Sequence, residues 1–268
     1  MELENYSRKY RTNYKEVVLK IDDDKELVEV EKEEDERNFE MEYTGDTLKI
    51  NYEKTGEDSI IKKIDSIFEE LVFSLDLNKN IDKLINIETI NQKFEEVRSD
   101  LLQRELAPDE ENLIYKFSSL LENNNNLADI YKEYYLFKYL FLGIYELSDT
   151  KKNIEKELEI KKIFLTDMLF DVKMKYDEEE NEIEIKGKDS LKFGAVNYVI
   201  KLIKNGYLKE RMNGSLSVSL KGKYILNEDK SIKKGFLEIV VKYQKVAYMA
   251  EGDIFLEIRH LFNIEEVE

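Results

Sequence analysis

The segment Leu127–Leu147, LADIYKEYYLFKYLFLGIYEL, constrains this chain more than any other. Its aromatics recur at helical spacing: Tyr131, Tyr134, Tyr135, Phe137, Phe141 and Tyr145. With Leu127, Ile130, Leu140 and Leu142 added, apolar side chains surround most of the helix circumference. That pattern predicts a helix buried on nearly all sides. Asn123-Asn124-Asn125-Asn126 marks its start and Ser148-Asp149-Thr150 its end. The most apolar run, 134–145, is shorter than the roughly 20 residues of a membrane span and carries Lys138. No membrane span is expected.

A core of that kind needs partners, and 268 residues suffice for one large domain or two tightly joined ones. The charged share is 38%, well above the usual quarter, and the excess is acidic: 59 Asp and Glu against 42 Lys and Arg. The net charge of −17 disfavours nucleic acid and anionic membranes and favours a basic protein partner. The absence of cysteine excludes disulfides, thiolate zinc sites and cysteine nucleophiles. The first residues, MELENYSRKYRTNYKE, lack the apolar core of a signal peptide, so the expected location is cytoplasmic unless a leader has been removed.

Strand signals occupy both ends of the chain. Val17–Ile21 and Leu27–Val30 read as short strands around Asp22-Asp23-Asp24. Phe39, Met41 and Tyr43, then Leu48, Ile50 and Tyr52, alternate about Thr44-Gly45-Asp46 and predict a hairpin. Asp58-Ser59 is placed to cap a helix through Ile60–Leu71, followed by a strand at Phe73–Leu77. In the middle, Thr89 and Gln92 have capping-box spacing ahead of Phe94, Val97 and Leu101, and Pro108 marks another helix start. Residues 156–166 fit helix or strand. Phe170, Val172, Met174 and Tyr176 alternate into an acidic turn and return through Ile183 and Ile185. Asp189-Ser190 precedes a helix that Gly206 stops. The clearest alternation is Leu216–Leu226, where Gly222 reads as a bulge; strands at Leu237–Tyr243 and Ile254–Ile258 follow, with a frayed tail after Phe262.

The expected fold is therefore α+β, an antiparallel sheet contributed by both ends, packed against helices, with a helical middle at about 89–147. Three segments are expected: a strand-hairpin-helix unit at 1–80, the helical middle at 81–150, and a strand-helix-strand unit at 151–268.

Residue types exclude much chemistry. One histidine rules out two-histidine metal motifs, and any Ser-His-Asp triad would have to use His260, which falls on the apolar face of the last strand. There is no G-x-S-x-G elbow, no P-loop and no dinucleotide fingerprint. Asp22-Asp23-Asp24 and Asp177–Glu180 lack the spacing of a calcium loop. No metal, cofactor or catalytic residue is expected.

One patch stands out. Residues 21–42 hold twelve acids and three bases, a balance of 3 − 12 = −9. Charge of this density accelerates encounter with a basic partner, and an adjacent aromatic supplies an anchor. The expectation is a non-enzymatic binding protein, an immunity-type inhibitor or an anti-defence protein. Its binding residues would be Asp22, Asp23, Asp24, Glu31, Glu33, Glu34, Asp35, Glu36, Glu40 and Glu42, with Tyr43 as anchor. The alternative is a carrier whose sheet and aromatic helix enclose an apolar ligand, lined by Tyr131, Tyr134, Tyr135, Phe137, Phe141 and Tyr145. A carboxylate-dependent hydrolase is a further alternative. The oligomeric state is left open.

Overall fold

The computed structural model describes residues 3–22, 26–53, 63–64, 66–77, 79–103, 106–122, 139–140, 142–147, 151–163, 166–190, 193–207, 214–245 and 254–268. Sheet dominates. The strands are β1 (Tyr6–Ile21), β2 (Leu27–Thr44), β3 (Thr47–Tyr52), β4 (Glu70–Leu75), β5 (Ile81–Leu84), β6 (Asn153–Ile163), β7 (Thr166–Asp177), β8 (Glu182–Asp189), β9 (Gly214–Leu226), β10 (Ile232–Lys245) and β11 (Ile254–Val267). Three α-helices are described: α1 (Ile87–Leu101), α2 (Pro108–Glu122) and α3 (Phe193–Gly206). The strand order is β5-β4-β3-β2-β1-β11-β10-β9-β8-β7-β6. The chain thus meanders outward from β1 to β5, resumes at the opposite edge, and meanders inward to β11. Both ends contribute to one antiparallel sheet, as the sequence suggests.

Contacts divide the chain into two compact units, residues 12–36 with 147–265, and residues 2–11 with 37–146 and 266–268. In the second unit, Met41, Ile50 and Leu71 form one cross-strand rung and Tyr43, Leu48, Phe73 and Leu84 the next. All but Leu84 are buried, each removal from water being worth about 1.5–3 kcal/mol. Gly45 has φ 63°, as the first residue of a two-residue type II′ hairpin requires. Ile90, Phe94 and Leu101 form the buried stripe of α1.

The first unit repeats the logic over longer strands. Met174, Ile185, Gly222, Leu237 and Phe262 form one rung; Tyr176, Ile183, Tyr224, Gly235 and Ile264 form the next. Gly222 is not a bulge, since the β9–β10 register runs through it unbroken. A Cβ there would lie 2.6 Å from Leu237 Cδ1. The gap in the apolar face is filled by its neighbour's side chain.

Several boundaries differ from expectation, each for a local reason. β1 starts eleven residues before Val17, because Tyr6, Tyr10 and Thr12 are inward residues of a strand whose other face is polar. The tail after Phe262 is paired strand, with Ile264 buried. Residues 156–163 fall in β6. β4 ends at Leu75, and Leu77 is fully exposed. Thr89 and Gln92 lie inside α1: the N-cap is Asn86, whose side chain is committed to β4, accepting from Val72 N–H (3.0 Å) and donating to Glu70 C=O (2.9 Å). Asp189 likewise serves the sheet, accepting Val218 N–H at 3.2 Å. The Asp58-Ser59 cap and most of the aromatic segment, 127–138 and Phe141, lie outside the described residues.

Pro108 does begin α2, and Glu110 reaches back to accept the Ala107 N–H at 2.9 Å. A carboxylate there satisfies an otherwise orphaned donor and opposes the positive end of the helix dipole. Glu110→Ala should lower stability by about 0.5–1 kcal/mol, read as a shift in urea midpoint, whereas Glu111→Ala should change it less.

Candidate functional site

The acidic patch falls on the first half of β2, opposite β1. The β1–β2 turn is closed by Asp22, whose N–H bonds Glu26 C=O at 2.9 Å while its carboxylate accepts Glu26 N–H at 2.9 Å. Asp22 is therefore a turn-forming residue; Asp23 and Asp24 lie outside the described residues. From Leu27 to Glu34 every residue of β2 is exposed, and Leu27, Val28 and Val30 retain 37%, 39% and 47% of their surface in solvent.

Strand geometry splits the acids between two faces. On one, Tyr207 at the end of α3 donates to Glu31 at 3.4 Å. Burial first, then the Glu31, Glu16 and Glu33 carboxylates, hold the Tyr207 hydroxyl above its ordinary pKa. On the other, Glu34 pairs with Lys32 (2.9 Å) and accepts from Asn13 (3.2 Å), and its carboxyl is held below the ordinary range chiefly by Lys32. Both partners of that pair are exposed, so it contributes little to stability. Glu33 and Glu36 are exposed and make no side-chain bond among the described residues; Asp35 is half-buried. Leu27–Glu36 carries six acids and one lysine, 1 − 6 = −5.

Glu40 and Glu42 lie farther along β2, where Glu40 accepts from Ser7 Oγ at 2.9 Å and Glu42 is exposed. Tyr43 is not an available anchor. It is 2% exposed, stacks on Tyr6 with centroids 5.9 Å apart, and has the Lys79 ammonium 5.4 Å from its ring. The inward register of the β2–β3 hairpin places it in the core. Of the aromatic candidates, Tyr145 is described and buried at 7% exposure; Tyr131, Tyr134, Tyr135, Phe137 and Phe141 lie outside the described residues. Among the described residues no helix is long and apolar enough to cross a membrane.

A cluster that the sequence analysis did not assemble joins β1 to β11. His260 is 4% exposed, and its Nδ1 lies 3.0 Å from the Tyr14 hydroxyl and 3.3 Å from Glu16 Oε2. Tyr14 also donates to Glu16 at 3.2 Å. His260 Nε2 is buried with no hydrogen-bond partner among the described residues. The signal was present in the even-numbered positions Tyr6, Tyr10, Thr12, Tyr14 and Glu16, which share one face once β1 is recognised as a strand.

No family model and no curated protein matches this chain. Among solved structures, one described as lipid–protein interactions in lipovitellin aligns at 10% identity with a TM-score of 0.45. It covers 100% of this chain and 26% of that one, and a likeness of this degree carries no argument about fold or function.

Proposed function

We propose that this chain is a non-enzymatic binding protein that occupies a basic surface of a protein partner, as an immunity-type inhibitor or anti-defence protein does. The observation that supports it is the stretch Leu27–Glu36 of β2, which holds six carboxylates, five of them exposed, against one lysine. A strand spaces those charges at about 3.3 Å per residue, so less ordering is required on binding than from a floppy acidic tail. Glu29, Glu31, Glu33, Glu34 and Glu36 form the contact set, with Val28 and Val30 supplying apolar area between them. Tyr43 has no part in it.

The test is charge reversal. Replacing Glu31, Glu33, Glu34 and Glu36 by lysine should weaken binding of a lysine-rich peptide at least tenfold, about 1.4 kcal/mol or more, and flatten its salt dependence. A control variant reverses four exposed acids elsewhere, Glu157, Asp171, Glu179 and Glu180. It has the same net charge and should lose much less. Equal loss in both variants would mean that total charge, not this strand, governs capture.

A further inference from the structure

The proposed function leaves open how a partner lies on the strand, and the β2 backbone bears on this. β2 has 18 residues, but its register with β3 covers only Phe39–Thr44, extended by one bond from Glu53 N–H to Asn38 C=O. Along Leu27–Glu36, β1 is the neighbour on one side, and among the described residues no strand lies on the other. Along Leu27–Glu34, leaving aside Asp35, an edge of this kind offers N–H and C=O groups at alternate residues to an added strand about 4.8 Å away.

Proteins usually blunt such an edge with lysines, proline, a bulge or a cover. Leu27–Glu36 has no proline and a single lysine, and three of its residues are exposed aliphatics. Six carboxylates give this segment negative charge as a further protection. That charge repels a second copy of the same edge, since each copy brings −5, but it attracts an extended segment of opposite sign.

We propose that the open edge of β2 between Leu27 and Glu36 accepts a basic, extended segment of the partner protein as an added strand. The inference rests on the binding reading above and specifies its geometry. Main-chain hydrogen bonds fix the segment along the edge. Its lysines and arginines meet Glu29, Glu31 and Glu33 on one face and Glu34 and Glu36 on the other. The aliphatic parts of those side chains cover Val28 and Val30.

The experiment compares three ten-residue peptides of repeating Lys-Lys-Thr-Thr, which places lysines on both faces of an added strand, against the full chain. One is unmodified; the other two carry N-methyl groups on alternate backbone nitrogens, each blocking one edge of the peptide. Strand addition predicts that one methylated peptide binds at least tenfold more weakly than the unmodified one, while the other binds nearly as well. Amide hydrogen exchange across 27–36 should slow with the unmodified peptide. Equal binding of all three, abolished by the four-lysine variant, would overturn strand addition and leave the acidic contact set standing. Undiminished binding to that variant, or no binding of the unmodified peptide at low salt, would remove both.

Discussion

Replacing Gly235 by valine should destabilise the fold by about 3 kcal/mol or more, and most of that loss should disappear when Tyr224 is made small. Gly235 faces Tyr224 across the β9–β10 pair, and the tyrosine ring lies over it. A Cβ at 235 would fall well inside contact distance of the ring, 2.7 Å from Cε1. The ring is fully buried, with Ile183 as its neighbour on β8, so it has little room to retreat. Overpacking of this kind costs about 1–3 kcal/mol per site, and a branched side chain lies at the upper end or beyond. Truncating Tyr224 to alanine opens a cavity instead, at about 3–5 kcal/mol. In the double variant the new valine occupies the space the ring vacates. The two costs should therefore fall short of additivity by about 2 kcal/mol or more. Urea unfolding of the four species measures this directly, and strict additivity would show that ring and glycine are not packing partners.

That pairing also shows where the sequence was readable. Alternation at Phe170–Tyr176, Leu216–Leu226 and Leu237–Tyr243 revealed strands because one face is buried and the other solvated, which is the condition under which a period of two survives. The Asp177–Glu180 and Asn227–Lys230 turns were legible for the same local reason. Asn181 and Lys230 take the positive φ that such turns require, at 50° and 66°. Lys230 then donates to Asn181 at 2.7 Å and to the Tyr176 hydroxyl at 2.9 Å, a brace that no local rule anticipates. The cap of α1 was misread because the helix starts after Asn86, whose side chain bonds strand groups of β4. At β1 the inward positions hold Tyr, Thr and Glu, so its buried face looks polar. For the candidate site, the density of acids was plain in the sequence, whereas the burial of Tyr43 required the β2–β3 register.

The same polar inward face yields the second large effect. Glu16→Gln should lower stability by about 1–3 kcal/mol at neutral pH, because it disturbs a hydrogen-bonded group of which His260 is the buried member. Glu16 is half-buried, and its carboxyl is held below the ordinary 4.5 first by the hydrogen bond with His260, against a desolvation cost that acts the other way. A carboxyl depressed in the folded state contributes stability that is present above its unfolded value. That contribution is lost as pH falls from about 4.5 through the folded value. The wild-type protein should therefore lose stability more steeply than Glu16→Gln as pH falls below about 4.5, and the two curves should converge in acid. The Nε2 of His260, unpartnered among the described residues, adds a second expectation. Removing one member of a buried polar pair leaves the other unsatisfied, whereas replacing both by apolar side chains removes the debt altogether. Glu16→Leu with His260→Leu should thus be more stable than Glu16→Leu alone. If the single and double variants unfold at the same urea concentration, or if Glu16→Gln keeps the wild-type acid slope, the contact between β1 and β11 does not couple these groups.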